Sequence, residues 1–338
     1  MKKFLALLLA LAMTLALVAC GASGGKDGGD DDKVYTIKYA HTCADNHAYQ
    51  VLGTEFKEAV EAASNGRIKV DLYPSSQLGG ETDLMEGLQA GTVEMATISD
   101  GVAANFVEGL NIFALPFLFS GVDHYQKVVF GEIGDEFVAK VDGQNGLKIA
   151  GLWGSTFRYP FSLTGPLTTV EDFEGVKIRL MEVPLHMDTY EALGANPMSM
   201  AMGDVYGALQ NKTVDGAENA ISSIHSQKFY EVAKDITLAP VIGNGCITLF
   251  SQKFWDSLPE DLQKTCEDAM DDAIKAADDY YVAAEDTART AMEAEGAVFH
   301  EVTDIEPFKA AVAGVRDAAT KDIADWAVAL LPKIDALA

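Results

Sequence analysis

The sequence predicts an α/β fold with two lobes and one long helix that contacts both. Three observations support this prediction. Residues 34–99 alternate between strand and helix patterns, residues 146–221 do so again, and a helical pattern runs without glycine or proline through residues 260–295. Strand–helix–strand order is typical of a largely parallel sheet. The chain has 338 residues, of which 49% are hydrophobic, so it is long enough for two cores.

The N-terminal segment predicts a leader rather than a part of the fold. Lys2 and Lys3 precede an apolar run that only Thr14 interrupts and that stops at Cys20. Such a run is too short for a comfortable membrane span and is typical of a signal peptide over residues 1–19. Its end, Leu-Val-Ala-Cys, resembles the lipobox of bacterial lipoproteins, which implies cleavage before Cys20 and lipidation there. An ordinary secretory peptide with a chance cysteine is the alternative.

Residues 20–33 predict a flexible tether, because glycine, serine and aspartate dominate them. The whole chain has a net charge of -26 and 22% charged residues. Such a charge disfavours nucleic acid and anionic lipid headgroups as partners. It does not exclude a small anionic ligand, since a cleft can contain its own arginines. The sequence therefore predicts a folded body that a lipid anchors outside a membrane.

The first run of elements contains strands at residues 34–41, 67–73 and 93–99, where apolar and polar residues alternate. Helical spacing follows the first strand and stops near Gly66, and a second helix is predicted over residues 81–91. Residues 110–119 are apolar throughout and include Pro116. We expect that stretch to be a buried crossing segment rather than a regular element.

The second run lies in four segments that alternate between strand and helix character: residues 146–154, 176–181, 204–213 and 214–221. Within this run Val176, Ile178 and Leu180 alternate with Lys177 and Arg179. That alternation predicts a strand with one face in a core and an arginine on the other face. The pattern alone does not decide between a solvated strand charge and an anion-binding group.

The longest predicted element is a helix from about Leu258 to about Glu295. Ser257 and Glu260 have the spacing of a capping box at its start. One apolar face contains Leu262, Cys266, Met270, Ala273, Ala277, Tyr281 and Ala284. A helix of this length measures roughly 55 Å, which exceeds the width of a small lobe. We therefore expect it to contact both lobes.

The sequence lacks the common motifs of metal sites, nucleotide binding and hydrolases. Cys43, Cys246 and Cys266 show no metal spacing and allow at most one disulfide, with three free buried thiols as the alternative. The six histidines show no metal-ligand spacing, and the dinucleotide, phosphate-loop, zinc-protease and serine-hydrolase motifs are absent. The sequence therefore predicts neither a cofactor, nor a metal, nor an enzyme.

Several segments together resemble the solute receptors of TRAP transporters, the DctP family of tripartite ATP-independent periplasmic carriers. The segments are SNGRIKVDLYPSSQLGGE, EGLQAGTVEMATIS, LPFLF, VKIRLM, EALGANPMSM, DVYGALQNKTVDGAENAISS and FWDSLPE, in family order between about Tyr35 and about Pro259. The resemblance implies a two-lobed, periplasmic-binding-protein-like fold with discontinuous lobes. We assign about 34–154 plus about 244–285 to lobe I, and about 155–243 plus about 286–338 to lobe II.

The family resemblance also implies a function. It implies a receptor, expected as a monomer, that binds a small organic acid between the lobes and then docks on TRAP membrane permease subunits. The expected location is the extracytoplasmic face of the cell membrane, or the periplasm where an outer membrane exists. Rival hypotheses are a receptor for an ATP-driven importer or sensor kinase, a lipid-anchored hydrolase, and a structural surface lipoprotein.

Three residues match ligand-binding positions of the family. Arg179 matches the arginine of its K-x-R strand, which holds the ligand carboxylate, and a guanidinium offers that group two parallel donors. Arg158 matches a second arginine. Asn219 matches an asparagine placed against the carboxylate, to which an amide can donate. The alternatives are a solvated strand arginine, a loop arginine facing water, and an Asx turn beside Gly216.

Five further residues are weaker candidates. Glu81 matches an acid that accepts hydrogen bonds from ligand hydroxyls, although a helix N-terminus also favours an acid without any ligand. Asn46 and His47 lie in the first strand-to-helix loop, and His47 is better explained as a helix-start residue. Trp153 and Met202 are expected to line the cavity. Because many relatives have phenylalanine where this chain has Met202, the ligand is expected to differ. Dicarboxylates, sugar acids, keto acids and aromatic acids all remain open.

Overall fold

The computed structural model describes residues 33–338, so the predicted signal peptide and Cys20 lie outside the described residues. The strands are β1 Tyr35–Ala40, β2 Ile68–Tyr73, β3 Met95–Ser99, β4 Leu147–Ser162, β5 Lys177–Leu180, β6 Asn196–Ser199, β7 Gly216–Asn219, β8 Asp235–Leu238, β9 Ile242–Ser251 and β10 Val298–Glu301. The helices are α1 Ala48–Ala63, α2 Glu81–Ala90, α3 Asp100–Ala103, α4 Val122–Val129, α5 Glu132–Val141, α6 Pro184–Ala192, α7 Val205–Gln210, α8 Ile221–Ser226, α9 Gln252–Trp255, α10 Glu260–Ala294, α11 Glu306–Asp322, α12 Asp325–Val328 and α13 Leu331–Asp335.

The strands form two sheets that share β4. The first sheet has the order β2-β1-β3-β9-β4, and the second continues as β4-β7-β5-β6, with β8 beside β4 and β10 beside β8. Pairing within β1–β3 and within β5–β7 is parallel, as the sequence predicts. The pairs that β4 and β9 form are antiparallel, because these two strands run through the centre in opposite directions. The α/β fold class is confirmed.

Strand β4 passes from one sheet to the other between Arg158 and Tyr159, shortly after an irregular stretch at Gly154. It pairs with β9 as far as Arg158 and with β7 from Tyr159 onward. Its register is irregular between Trp153 and Thr156, and Gly154 has a φ of 82°. A Cβ at this position would lie 2.6 Å from the Cys246 Sγ. Both the left-handed backbone and the close approach therefore require glycine here.

Helix α10 contains 35 residues and measures roughly 52 Å. Its side chains from Leu262 to Tyr281 pack in the core on the first-sheet side, whereas Ala288 and Met292 pack in a core on the second-sheet side. The predicted helix that contacts both halves is confirmed.

The capping box predicted at the start of this helix is wrong. Pro259 is the N-cap in an extended conformation, and the Ser257 hydroxyl donates to the Phe254 carbonyl at 2.7 Å. The helix begins after Pro259 because a residue that precedes proline is disfavoured in a helix.

The segment 110–119 is buried and irregular as predicted, apart from one 3-10 turn at Leu110–Ile112. The C-terminal helices pack on the first-sheet side, while the lobe bounds stay a prediction from the sequence. Ile323, Ala327, Leu330 and Ile334 pack in the cluster that contains Leu110 and Phe137, on the first-sheet side. Their apolar faces are covered by lobe I segments, although residues 286–338 are assigned to lobe II from the sequence.

Three properties of residues 33–338 bear on function. Within them, no helix is both long and apolar enough to cross a membrane. In the same range, no cluster of three or more histidine, cysteine or acidic side chains is arranged to hold a metal ion. Cys43, Cys246 and Cys266 are buried free thiols, which is the second of the two states that the sequence allows.

Candidate functional site

A small cavity lies between the two sheets, and we call it the central cavity. Its lining comes from both sides: Thr42, Glu81 and Val102 on the first-sheet side, and Arg179, Met181, Glu182, Met200, Ala201 and Met202 on the second-sheet side. Its volume is about 30 Å³, which is about the share of one water molecule in the liquid. Sites for small molecules typically measure roughly 300–1,000 Å³. The two walls must therefore separate before an organic acid can enter.

Arg179 is a buried cation on the second-sheet wall. Ile178 and Leu180 pack in a core on the other face of β5, and Arg179 itself is 2% exposed. Its Nε and Nη2 donate to the Met200 carbonyl at 2.9 and 2.5 Å. No carboxylate of residues 33–338 lies within ion-pair distance of it. Burial lowers the pKa of Arg179 to about 10, so the guanidinium is still charged at neutral pH.

Arg158, in contrast, already has an anionic partner. Its Nε and Nη2 both donate to the Glu218 carboxylate, with Nη2 2.9 Å from Oε1, and its Nη1 donates to the Asn244 Oδ1. The Arg158 and Glu218 side chains are both buried. Burial acts to lower the pKa of Arg158, but the charge and hydrogen bonds of Glu218 outweigh it and raise the pKa above its ordinary value. A ligand anion would therefore compete with Glu218 for Arg158.

Asn219 ends β7 beside Met202. Its Oδ1 accepts at 2.9 Å from the N–H of Ala220, which is the next residue, whereas an Asx turn uses the N–H two residues on. Its Nδ2 lies 3.8 Å from the Met202 Sδ, and Met202 lines the central cavity. The amide therefore has a donor on the cavity side, and Met202 covers that donor.

The first-sheet wall is acidic. The Glu81 carboxylate accepts from the Ser99 N–H at 3.0 Å and also from the Ser99 hydroxyl. Asp100, on the same side, accepts from the Tyr125 hydroxyl at 3.1 Å and from the Gly101 N–H at 2.7 Å. Burial raises the pKa of Glu81, and burial raises the pKa of Asp100 to about 6. Two acids that are costly to keep ionised thus lie opposite the arginines.

Asn46 and His47 lie at a different place. His47 caps helix α1, where its Nδ1 accepts from the Tyr49 N–H at 3.3 Å, and its Nε2 is 3.0 Å from the Ser223 Oγ. Burial lowers the pKa of His47 to about 3, so the ring is neutral. Asn46 is exposed, and its carbonyl accepts from the Tyr280 hydroxyl at 3.1 Å. Both residues line a separate cavity of about 230 Å³ between α1, α8 and α10.

Trp153 lies in the core beneath α10. Its Nε1 donates to the Thr248 Oγ1 at 3.0 Å, and its ring contacts Tyr49 and Tyr281. The side chain is fully buried among these groups rather than on a wall of the central cavity. This placement favours a packing role for Trp153.

Helix α10 contributes residues that the sequence did not reveal. The Asp278 Oδ1 accepts from the Gly154 and Ser155 N–H groups at 3.0 and 3.1 Å, where the register of β4 is irregular. The Glu285 Oε1 accepts from the Ser222 N–H at 2.9 Å, at the start of α8. Asn244 links Arg158 to this helix, because its Nδ2 donates to the Tyr281 hydroxyl. The sequence pattern of an amphipathic helix predicts that its acidic residues face solvent. It therefore gave no indication that Asp278 and Glu285 accept hydrogen bonds from main-chain N–H groups.

Glu182 joins the two sides at the edge of the central cavity. The Thr82 hydroxyl donates to its carboxylate, and the Asn105 Nδ2 donates to its carbonyl at 2.9 Å. Thr82 and Asn105 belong to the first-sheet side, whereas Glu182 follows β5 of the second. These hydrogen bonds hold the walls together in this closed arrangement.

Comparison with known proteins gives consistent matches. Residues 39–322 match the family described as bacterial extracellular solute-binding protein, family 7. The C4-dicarboxylate-binding periplasmic protein DctP of Rhodobacter capsulatus is 33% identical over 272 residues, which are 79% of this chain and 80% of that protein. A TRAP periplasmic solute binding protein of Polaromonas, solved with D-erythronate, is 32% identical with a TM-score of 0.83, over 88% of this chain and 97% of that one. One from Pseudomonas putida F1, solved with D-glucuronate, is 29% identical with a TM-score of 0.84, over 89% and 97%.

Proposed function

The chain belongs to the bacterial extracellular solute-binding proteins of family 7, and we propose that it is the receptor of a TRAP-type transporter for a small organic acid. The observation that carries the proposal is Arg179, a buried guanidinium beside a cavity between two sheets, with no carboxylate partner within residues 33–338. A buried cation in such a place is matched by a ligand carboxylate. The family and fold are those of substrate-binding proteins. The proposal assigns the chain no enzymatic activity and no cofactor.

In this proposal the ligand carboxylate binds Arg179, and the Asn219 amide donates to the same group. Met202 moves away from the Asn219 Nδ2 and packs against the ligand, and Glu81 accepts from a ligand hydroxyl. Arg158 contributes positive charge while Glu218 holds its position. The contacts that support these roles are the cavity lining and the Asn219–Met202 contact.

A thermal-shift screen across organic acids tests the receptor function. An acid present at a hundred times its dissociation constant stabilises a protein by about 2.7 kcal/mol. We expect the melting temperature to rise with at least one carboxylate and to stay unchanged with neutral sugars. The Arg179→Ala protein is the control and should show no rise. A screen in which no acid stabilises the wild-type protein would overturn the proposal.

The proposal includes closure of two discontinuous lobes around the ligand. The small central cavity supports it, since the walls must part for entry, and the Glu182 hydrogen bonds must break for that to happen. X-ray scattering should show a smaller radius of gyration with ligand than without. A radius that does not change at saturation would indicate a rigid cleft.

Delivery to TRAP permease subunits distinguishes the proposal from a receptor for an ATP-driven importer or a sensor kinase. The related TRAP proteins support the first of these partners. In vesicles that contain the TRAP membrane subunits of the same organism, the purified receptor should be required for uptake driven by an ion gradient. Uptake that depends on ATP instead would favour the importer.

We also propose that the mature protein begins at Cys20 and carries lipid there, on the extracytoplasmic face of the membrane. The sequence at the end of the apolar run supports this. Cys20→Ser should release the protein from the membrane fraction, whereas Cys266→Ser, at a buried thiol, should not. Equal membrane retention of the Cys20→Ser protein would contradict the anchor.

A further inference from the structure

We propose that the site selects an acid with one carboxylate and several hydroxyl groups over a dicarboxylate, and that His186 is a residue which recognises the hydroxyls. This inference rests on the proposed receptor function and names the ligand class for the same site. This ligand class differs from the one in the name of the C4-dicarboxylate-binding relative. The residues of this chain therefore have to supply the reason for it.

The first argument is the number of cations that are available to a ligand. Of the two arginines, Arg158 forms a two-pronged ion pair with Glu218 and has its third nitrogen on Asn244. Arg179 donates only to a main-chain carbonyl. One guanidinium therefore remains for an anion, and one carboxylate satisfies it.

The second argument is the charge on the opposite wall. Glu81 lines the central cavity across from Arg179, Glu182 lines its edge, and Asp100 lies behind on the same first-sheet side as Glu81. A second ligand carboxylate would approach these acids, and two carboxylates that share a buried site repel each other. A hydroxyl group in the same position can donate to Glu81 without adding charge.

The third argument is a buried histidine without partners. His186, in the first turn of α6, is 1% exposed, and neither its Nδ1 nor its Nε2 has a hydrogen-bond partner among the described residues. Its Cε1 would lie 3.4 Å from a Cβ placed on Gly101, a residue of the first-sheet side. His186 therefore lies beside the first-sheet segment at Gly101, behind the residues that line the closed cavity. One helical turn later, the Tyr190 hydroxyl is also buried without a partner.

The charge state of His186 fits a hydroxyl better than an anion. Burial, and then the charges of Arg158 and Arg179, lower its pKa to about 3, so the imidazole is neutral. A neutral imidazole has one donor and one acceptor, which is the pair that a hydroxyl group offers in return. Buried polar groups are almost always hydrogen-bonded in native proteins, so the two open nitrogens indicate a missing polar partner.

Titration calorimetry with acids of equal carbon number tests the selection. D-Erythronate and succinate both have four carbons, but only the first has one carboxylate and three hydroxyls. We expect the wild-type protein to bind D-erythronate, or the longer D-glucuronate, at least tenfold more tightly than succinate. Succinate binding as tight as that of both hydroxylated acids would overturn the inference and leave the receptor function standing. If none of the acids in the screen binds, both proposals fail.

Variants at His186 test its role. His186→Leu should weaken binding of the preferred hydroxylated acid at least tenfold and should not lower the melting temperature of the unliganded protein, because it removes two unpartnered polar atoms. His186→Gln, which keeps a donor and an acceptor, should recover part of the affinity. The matched control is His124→Leu, since the His124 Nε2 contacts the Ile334 carbonyl at 2.9 Å away from the site. That control should lose stability and keep its affinity. Binding by His186→Leu and His186→Gln within threefold of wild type would overturn the role.

Discussion

The two walls of the central cavity carry opposite charges. The first-sheet wall presents Glu81, with Asp100 behind it, and burial raises the pKa of both. The second-sheet wall presents Arg179, with Arg158 behind it. In the proposed receptor, this difference orients the acid with its carboxylate toward the second sheet and its uncharged polar groups toward the first.

The two arginines also differ from each other. Arg158 is compensated by Glu218 within the protein, whereas Arg179 has only the Met200 carbonyl. A buried charge that is already paired stabilises the positions of its neighbours, and one that is not paired is available for a ligand. Four changes test this comparison.

Breaking the internal pair should have the largest effect. Glu218→Ala leaves the Arg158 guanidinium buried without its partner, and such a loss typically costs 3–5 kcal/mol. Denaturant unfolding should show this decrease in the free energy of unfolding. Glu306→Ala removes the partner of Lys309 in an exposed pair and should cost less than about 1 kcal/mol. Equal decreases in the free energy of unfolding for the two variants would mean that the buried pair stabilises the protein no more than the exposed pair does.

Removing the unpaired arginine should affect binding more than folding. Arg179→Ala should weaken binding of the acid by a factor of about thirty to several thousand, since the loss of one partner of a buried charge pair costs 2–5 kcal/mol or more. Arg179→Lys should recover only part, because an ammonium lacks the two-pronged geometry. Lys177→Ala, at an exposed position of the same strand, is the control. Calorimetry that finds Arg179→Ala within threefold of wild type would leave Arg179 as a structural residue.

The acidic wall should make stability depend on pH. The pKa of Asp100 is about 6 in the folded protein and about 3.9 in an unfolded chain, so the folded state binds the proton more tightly. Its contribution to stability is therefore present below pH 4 and is lost as the pH rises from about 4 to about 6, by on the order of 3 kcal/mol. Asp100→Asn does not titrate and should be the more stable protein at pH 7.5. Melting curves of the two proteins should converge near pH 4, and a constant difference between them would contradict the explanation.

The smallest expected effect is that of Glu81→Gln on binding, and it tests whether the two walls orient the acid. Glu81→Gln keeps an acceptor but removes the charge opposite Arg179. Loss of one charge-assisted hydrogen bond should weaken binding of a hydroxylated monocarboxylate about fivefold, or by about 1 kcal/mol. The same change should improve binding of succinate, because one carboxylate that repels it is gone. A parallel loss for both acids would mean that Glu81 acts only through Ser99 and helix α2.

The sequence predicts the outer parts of the fold better than its centre. β1, β2 and β5 alternate in polarity and were found, and the long helix follows from its uninterrupted apolar face. β9 is buried along its whole length and contains two glycines, so it shows no alternation. The sequence predicts an end of β4 at Gly154, but the strand continues to Ser162, since this glycine lies in an irregular stretch of the pairing with β9 rather than in a turn.

The local placement of a candidate residue could be predicted where its own segment has a clear pattern, and its role at the site stays a prediction. The placement of Arg179 in a strand and of His47 at a helix start could be read from local pattern. The Arg158–Glu218 pair could not, because it joins β4 to β7 across 60 residues and depends on their antiparallel register. His186 gave no signal either, since a histidine in the first turn of a helix is ordinary until its burial and lack of partners are known.

Helix α10 has a mechanical consequence for the proposed closure. Asp278 fixes it to β4 and Glu285 fixes it to α8, and these two anchors are separated by seven residues, about 10 Å along the axis. A rotation of one half relative to the other must then bend the helix within two turns. The nine residues beyond Glu285 act as a lever arm of about 14 Å that ends at Ala294. In the proposed receptor, occupancy of the central cavity would thereby displace an outer surface, where the proposed membrane partner could detect it.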